Sequence, residues 1–70
     1  MYQENDIVTI GSVQYIVLGT LTIDPDKTPG LYNQMGLRQT LALGKVDSEE
    51  KQRYTVNVDK SGKLVGFKKI

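Results

Sequence analysis

Hydrophobic and polar positions alternate from Val13 onward: Val13, Tyr15, Val17, Leu21 and Ile23 fall on one parity, broken only at Gly19. A two-residue period marks a β-strand with one buried face, because successive side chains leave a pleated backbone on opposite sides. Shorter segments carry the same signature. Ile7, Val8 and Ile10 predict a first strand, and the Gly11-Ser12 pair predicts a turn that folds the chain back into the long second one. Gly19 leaves a gap where a side chain should stand, so a bulge or bend is expected there, of the kind that lets one strand serve two sheets of a small barrel.

Between Asp24 and Gly36 the alternation fails. Asp24-Pro25, Thr28-Pro29-Gly30 and Gly36 punctuate a segment expected to sustain neither a ladder nor a helix, which makes it the one long loop. Pro29 followed by Gly30 suits the centre of a type II turn, since proline presets the first φ and glycine accepts a positive second one. Arg38 to Val46 predicts a third strand with Leu37, Leu41 and Leu43 on one parity, and a second bulge at Gly44 would return Val46 to that face. The polar stretch Asp47 to Lys51 turns the chain, and Ser48 with Glu49 and Glu50 has room for one helical turn and no more. Tyr54, Val56 and Val58 predict strand four. Asp59-Lys60-Ser61-Gly62 predicts a hairpin loop closed by a left-handed Gly62, after which Val65 and Phe67 form a fifth strand paired with the fourth.

No convincing helix separates these strands, so the chain reads as all-β: a hairpin, a long loop and a three-stranded meander in one domain over residues 1–70. Asp6-Ile7-Val8, then Gly11, then Tyr15-Ile16-Val17 resembles the strand, turn and aromatic strand that open many SH3-like barrels. Strand number, strand length and the position of the longest loop are similar too. The resemblance implies a small five-stranded SH3-like barrel with its long loop after strand 2, an OB-like small barrel being the alternative. It carries over no binding residues, because the chain lacks the paired tryptophan and the acidic loop of peptide-binding SH3 domains.

Size and composition narrow the picture. A 70-residue chain hides only about 60% of the surface it exposes when unfolded, leaving little room for both a core and an enclosed active site. Cysteine is absent, so packing rather than disulfides or thiolate metal sites must hold the fold. Nine Lys and Arg against eight Asp and Glu give a net charge of +1, far from the basic balance of a dedicated nucleic-acid binder. Met1 to Asp6 is polar and acidic, unlike a signal peptide. The longest apolar stretch, Tyr15 to Leu18, falls far short of the roughly 20 residues a membrane helix needs. A soluble, cytoplasmic protein with no membrane partner is expected.

Catalytic chemistry finds few footholds. Histidine is absent along with cysteine, which removes the commonest general base, the commonest metal ligand and the best nucleophile. Adjacent Glu49 and Glu50 should point apart, and Asp24 and Asp26 lie in a loop, so a solvated turn accounts for either pair better than an acid and base. Asp24, Asp26 and Thr28 match the opening of a calcium loop, but Pro29 replaces its glycine and Met35 its closing glutamate. Neither Gly44-Lys45 nor Gly62-Lys63 has the earlier glycine of a phosphate-binding loop. A non-enzymatic protein with no catalytic residue, cofactor or metal is expected.

Two surfaces remain as leads. The loop 24–36 places Leu31, Tyr32, Met35 and Leu37 in a segment that should face solvent, and exposed Tyr and Met anchor protein partners. The competing reading is that the loop caps the barrel; Tyr32, just after the Pro29-Gly30 turn, is the residue expected to be exposed. Leu31, Tyr32 and Met35 are therefore the candidate partner-binding residues of a small interaction module, a regulator, inhibitor or assembly subunit. Strand addition at an open edge and homodimerisation serve the same end. The alternative is a nucleic-acid-binding barrel using the C-terminal hairpin, with Lys60, Lys63, Lys68 and Lys69 joined by Arg38 and Arg53 as phosphate contacts. Parity puts Lys63 and Lys69 on one face and Lys68 on the other, and solubilising lysines on an edge strand account for the same cluster. Tyr2, Tyr15, Tyr54 and Phe67 offer rings for base stacking, although the last three also sit where the core needs filling.

Overall fold

In the computed structural model, which describes residues 1–46 and 52–70, the Gly11-Ser12 pair turns the chain between β1 (Ile7–Ile10) and β2 (Val13–Thr22). Gly11 takes a φ of 67°, so the positive φ falls on the first central residue, the pattern of a type II′ turn. After the loop come β3 (Leu37–Lys45), β4 (Tyr54–Asp59) and β5 (Leu64–Lys69). The five strands form one antiparallel sheet in the order β1-β2-β3-β4-β5, curled into a half-barrel as in a small β-barrel. Among the described residues no helix is long and apolar enough to cross a membrane. The turn expected over 47–51, with Ser48, Glu49 and Glu50, lies outside the described residues.

The inner face of the curl holds the core: Val8, Tyr15, Val17, Leu41, Leu43, Tyr54, Val56 and Val58, with Tyr2, Ile10 and Leu64 packed around it. Alternation along β3 and β4 builds most of it, since Leu43 stands opposite Tyr54 and Leu41 opposite Val56. Val17, Leu41 and Leu43 lose all contact with solvent, each such burial stabilising by about 1.5–3 kcal/mol relative to exposure.

Three bulges depart from simple parity. In β2 the register passes from Val17↔Leu43 to Gly19↔Ala42, so Leu18, not Gly19, is the extra residue. That insertion moves Leu21 to the outer face, where it is 67% exposed, contrary to the core position its parity predicts. In β3 the extra residue is Arg38, between Leu37↔Asp59 and Gln39↔Val58, while the stretch around Gly44 pairs regularly. The bulge expected at Gly44 is absent and Val46 stays exposed. In β5 Gly66 and Phe67 together oppose Val56, and Gly66 adopts a φ of 66°, as the glycine of a G1 bulge does. Phe67 thereby joins the inner face while Val65 stands opposite Asn57, so the two lie on different faces despite their shared parity. The same bulge removes the parity that would align Lys63 with Lys69.

Candidate functional site

The loop is built from its own sequence chemistry. Asp24 carries the first turn: its carboxylate accepts from the Asp26 amide at 2.9 Å, and its carbonyl accepts from the Thr28 amide at 2.8 Å and the Thr28 hydroxyl at 3.1 Å. Pro29 then takes helical angles, φ −61° and ψ −31°, so the type II turn expected at Pro29-Gly30 does not form. Instead a single π-helical turn, η1, spans Gly30–Gln34 and closes with the Met35 amide donating to the Gly30 carbonyl at 3.1 Å. The expectation of no helical structure missed this because proline at a helix start loses no hydrogen bond.

Contacts with the β4–β5 hairpin fix the loop. Gly36, at φ 68°, offers its carbonyl to the Lys60 amide at 2.9 Å. The Lys60 ammonium sits 4.3 Å from the centroid of the Tyr32 ring, a cation–π contact. The Arg38 guanidinium reaches the Lys60 carbonyl at 3.5 Å. Tyr32 is consequently half-buried rather than exposed. Ile23 and Leu37, at the two roots of the loop, are each 6% exposed yet stand apart from the main core, and η1 lies against β3. The loop thus both caps and presents: Leu37 is buried, Tyr32 is clamped, and Leu31 and Met35 remain 38% and 62% exposed.

The hairpin turn itself is locked by Asp59. Its Oδ1 accepts from the Ser61 hydroxyl at 2.6 Å, the Ser61 amide at 2.9 Å and the Lys63 amide at 2.9 Å. Hydrogen bonds from Ser61 and Lys63 to the charged form hold its carboxyl below the ordinary aspartate range. Gly62, at φ 89°, closes the turn as its position predicts.

The six cations of the nucleic-acid reading divide between the two ends of β5. Arg38, Lys60 and Lys63 surround the hairpin turn, while Arg53, Lys68 and Lys69 lie at the far end, where the Ile70 amide donates to the Arg53 carbonyl at 2.9 Å. At that far end three rings meet on the inner face. Tyr54 and Phe67 stack with centroids 5.4 Å apart and planes 12° apart, and Tyr15 meets each of them at 5.3 Å. Lys45, opposite Tyr15 in register, brings its ammonium 5.9 Å from the Tyr54 centroid, and Lys69 stands opposite Tyr54. Parity puts Phe67 and Lys69 on one face, and the Gly66 bulge makes that face the inner one, where Tyr54 stands.

A cavity of about 320 Å³, lined by Met1, Tyr2, Asp6, Arg38, Val58 and Gly62, lies between the N-terminal segment and the loop end of the sheet. Among the described residues no group of three or more carboxylates, histidines or cysteines is placed to hold a metal ion. No family model, curated protein or solved structure matches the chain.

Proposed function

We propose that the chain is a non-enzymatic interaction module, a small barrel of SH3-like type that binds a protein partner through the loop 24–36. One observation carries the reading: Leu31 and Met35 are large, exposed and apolar, yet they project from a loop that Lys60 fastens at both Tyr32 and Gly36. A fastened loop loses little conformational freedom on binding, so its apolar contacts convert more fully into affinity. Leu31 and Met35 make the contact in this reading, and Tyr32 and Lys60 hold them in place. The β1 edge, where Ile7 is 51% exposed, supplies a second route by strand addition to a partner or to another copy.

The reading is tested by affinity capture from a cell extract, with the wild-type chain and a Leu31→Ser/Met35→Ser variant as parallel baits and circular dichroism confirming that both are folded. Proteins held by the wild type and lost from the variant support the loop as the binding surface. Identical recovered sets overturn it. Light scattering across a range of concentrations separates self-association from capture of a different protein.

A further inference from the structure

We propose that the end of the inner face formed by Phe67, Lys45 and Lys69 binds single-stranded nucleic acid, one base stacking on Phe67 and the adjoining phosphates meeting the two lysines. This surface is distinct from the loop 24–36, at the opposite end of the strands. Three observations lead to it. Tyr15 and Tyr54 are 5% and 8% exposed, as core residues are, but Phe67 is 38% exposed. Tyr54 stacks on its ring, parallel to within 12°, and Tyr15 meets it at 5.3 Å, so the rings hold Phe67 in place while part of its apolar surface stays open to solvent. Lysines flank it on the same side of the sheet: Lys69 faces Tyr54 across the β4–β5 ladder, and Lys45 reaches over the Tyr54 ring. Strand spacing sets the backbones of these lysines roughly 10–12 Å apart, with Tyr54 on the strand between them and Phe67 beside Lys69 on β5.

A partly exposed ring beside two point cations complements a ligand that is planar and apolar at one place and anionic next to it. Single-stranded nucleic acid has that alternation, and base–aromatic stacking needs no particular sequence. Arg53 and Lys68 add positive charge at the same end of the sheet. The net charge of +1 does not oppose this, because a few cations placed together attract phosphate locally.

The test is fluorescence anisotropy with a labelled octathymidylate, whose length suits a small barrel, titrated between about 50 and 200 mM salt. The wild-type chain is expected to bind at the low end and to weaken steeply with salt. Phe67→Leu, which keeps an apolar side chain but removes the ring, should weaken binding by about 5- to 100-fold. Lys45→Gln with Lys69→Gln should lower the slope of log affinity against log salt by about 1.4, and this pair leaves the apolar core intact should Phe67→Leu fail to fold. Lys63→Gln, at the other end, should leave both the affinity and the salt slope nearly unchanged. No binding by the wild type, equal binding by Phe67→Leu, or an unchanged salt slope in the lysine pair overturns the proposal. Displacement of the oligonucleotide by an equal concentration of a glutamate-rich peptide also overturns it, in favour of an acidic protein segment.

Discussion

The carboxamide of Gln39 pairs with the main chain of Tyr2 as a strand would: its Nε2 donates to the Tyr2 carbonyl at 2.8 Å and its Oε1 accepts from the Tyr2 amide at 3.2 Å. Gln39 is 1% exposed and stands on the inner face opposite Val58. The approach of Tyr2 is prepared by a turn over Gln3 to Asp6, in which the Asp6 carboxylate accepts from the Gln3 amide at 2.8 Å and Asn5 takes a φ of 72°. The N-terminal segment thus supplies the partner that a buried amide requires.

Gln39→Leu keeps the volume but strands both polar groups of Tyr2, so it should destabilise the fold by about 1–3 kcal/mol. Hydrogen exchange at the Tyr2 amide should accelerate in the same variant. Unchanged stability together with unchanged Tyr2 protection would show that the pairing contributes nothing.

Gly66 and Gly19 should respond in opposite ways to alanine. At Gly66 the φ of 66° penalises any side chain, and an added Cβ would lie 3.1 Å from Asn57 Nδ2, so Gly66→Ala should cost about 1–3 kcal/mol. Gly19 has ordinary backbone angles with nothing within 4 Å of its added Cβ, and Gly19→Ala should be neutral or stabilise by up to about 1 kcal/mol. Thermal denaturation of the two variants decides the matter.

Asp59 makes the hairpin turn sensitive to acid. Its carboxyl is held below the value it takes in the unfolded chain, so the unfolded state binds the proton first as the pH falls. The stabilisation is therefore complete above the unfolded value, about pH 4, and is lost as the pH drops through the depressed folded value. Asp59→Asn retains an acceptor but no titrating charge, so the amide protection of Ser61 and Lys63 should lose its dependence on pH in this range. A hairpin that loosens in acid to the same extent in Asp59→Asn would assign the effect to another group.

Lys60→Gln removes the cation above Tyr32 but leaves the backbone bond to Gly36. Global stability should fall by no more than about 1 kcal/mol, whereas the Met35 amide, which closes η1, should exchange measurably faster. Equal exchange rates in variant and wild type would mean that the loop holds itself.

The Leu18 bulge yields a contrast between two apolar residues of one strand. Leu21→Thr, on the outer face, should change stability by no more than about 0.5 kcal/mol. Val17→Thr would bury a hydroxyl with no exposed surface left to hydrate it and should cost about 1–3 kcal/mol. Similar costs at both positions would contradict the register across the bulge.

Strand identity was legible because it rests on local alternation. Tyr15 and Val17, Leu41 and Leu43, and Tyr54, Val56 and Val58 all reach the core that their parity predicts, and both hairpin turns carry the residues their backbone angles demand. What escaped was set by single inserted residues. Leu18, Arg38 and Gly66 each shift the face of everything beyond them, and a bulge at Leu18 rather than at Gly19 has no signal in composition. Gln39 carries no sequence signal of its role, since its partner is a main-chain group of Tyr2, 37 positions away. In the candidate site the residue types of the loop were visible, but the clamp on Tyr32 comes from Lys60, which only the folded meander brings near.

A sheet in which every strand pairs with its neighbour in sequence can assemble by successive short closures. Each of the two tight hairpins, at Gly11-Ser12 and at Asp59 to Gly62, can nucleate independently, and the ladder between β2 and β3 then joins them across the long loop. Two contacts then bring distant parts of the chain together: Tyr15 meets Phe67 as the sheet curls, and Tyr2 docks on Gln39, separated by 37 positions. Folding should therefore proceed inward from the turns, with the first residues of the chain settling last and leaving first.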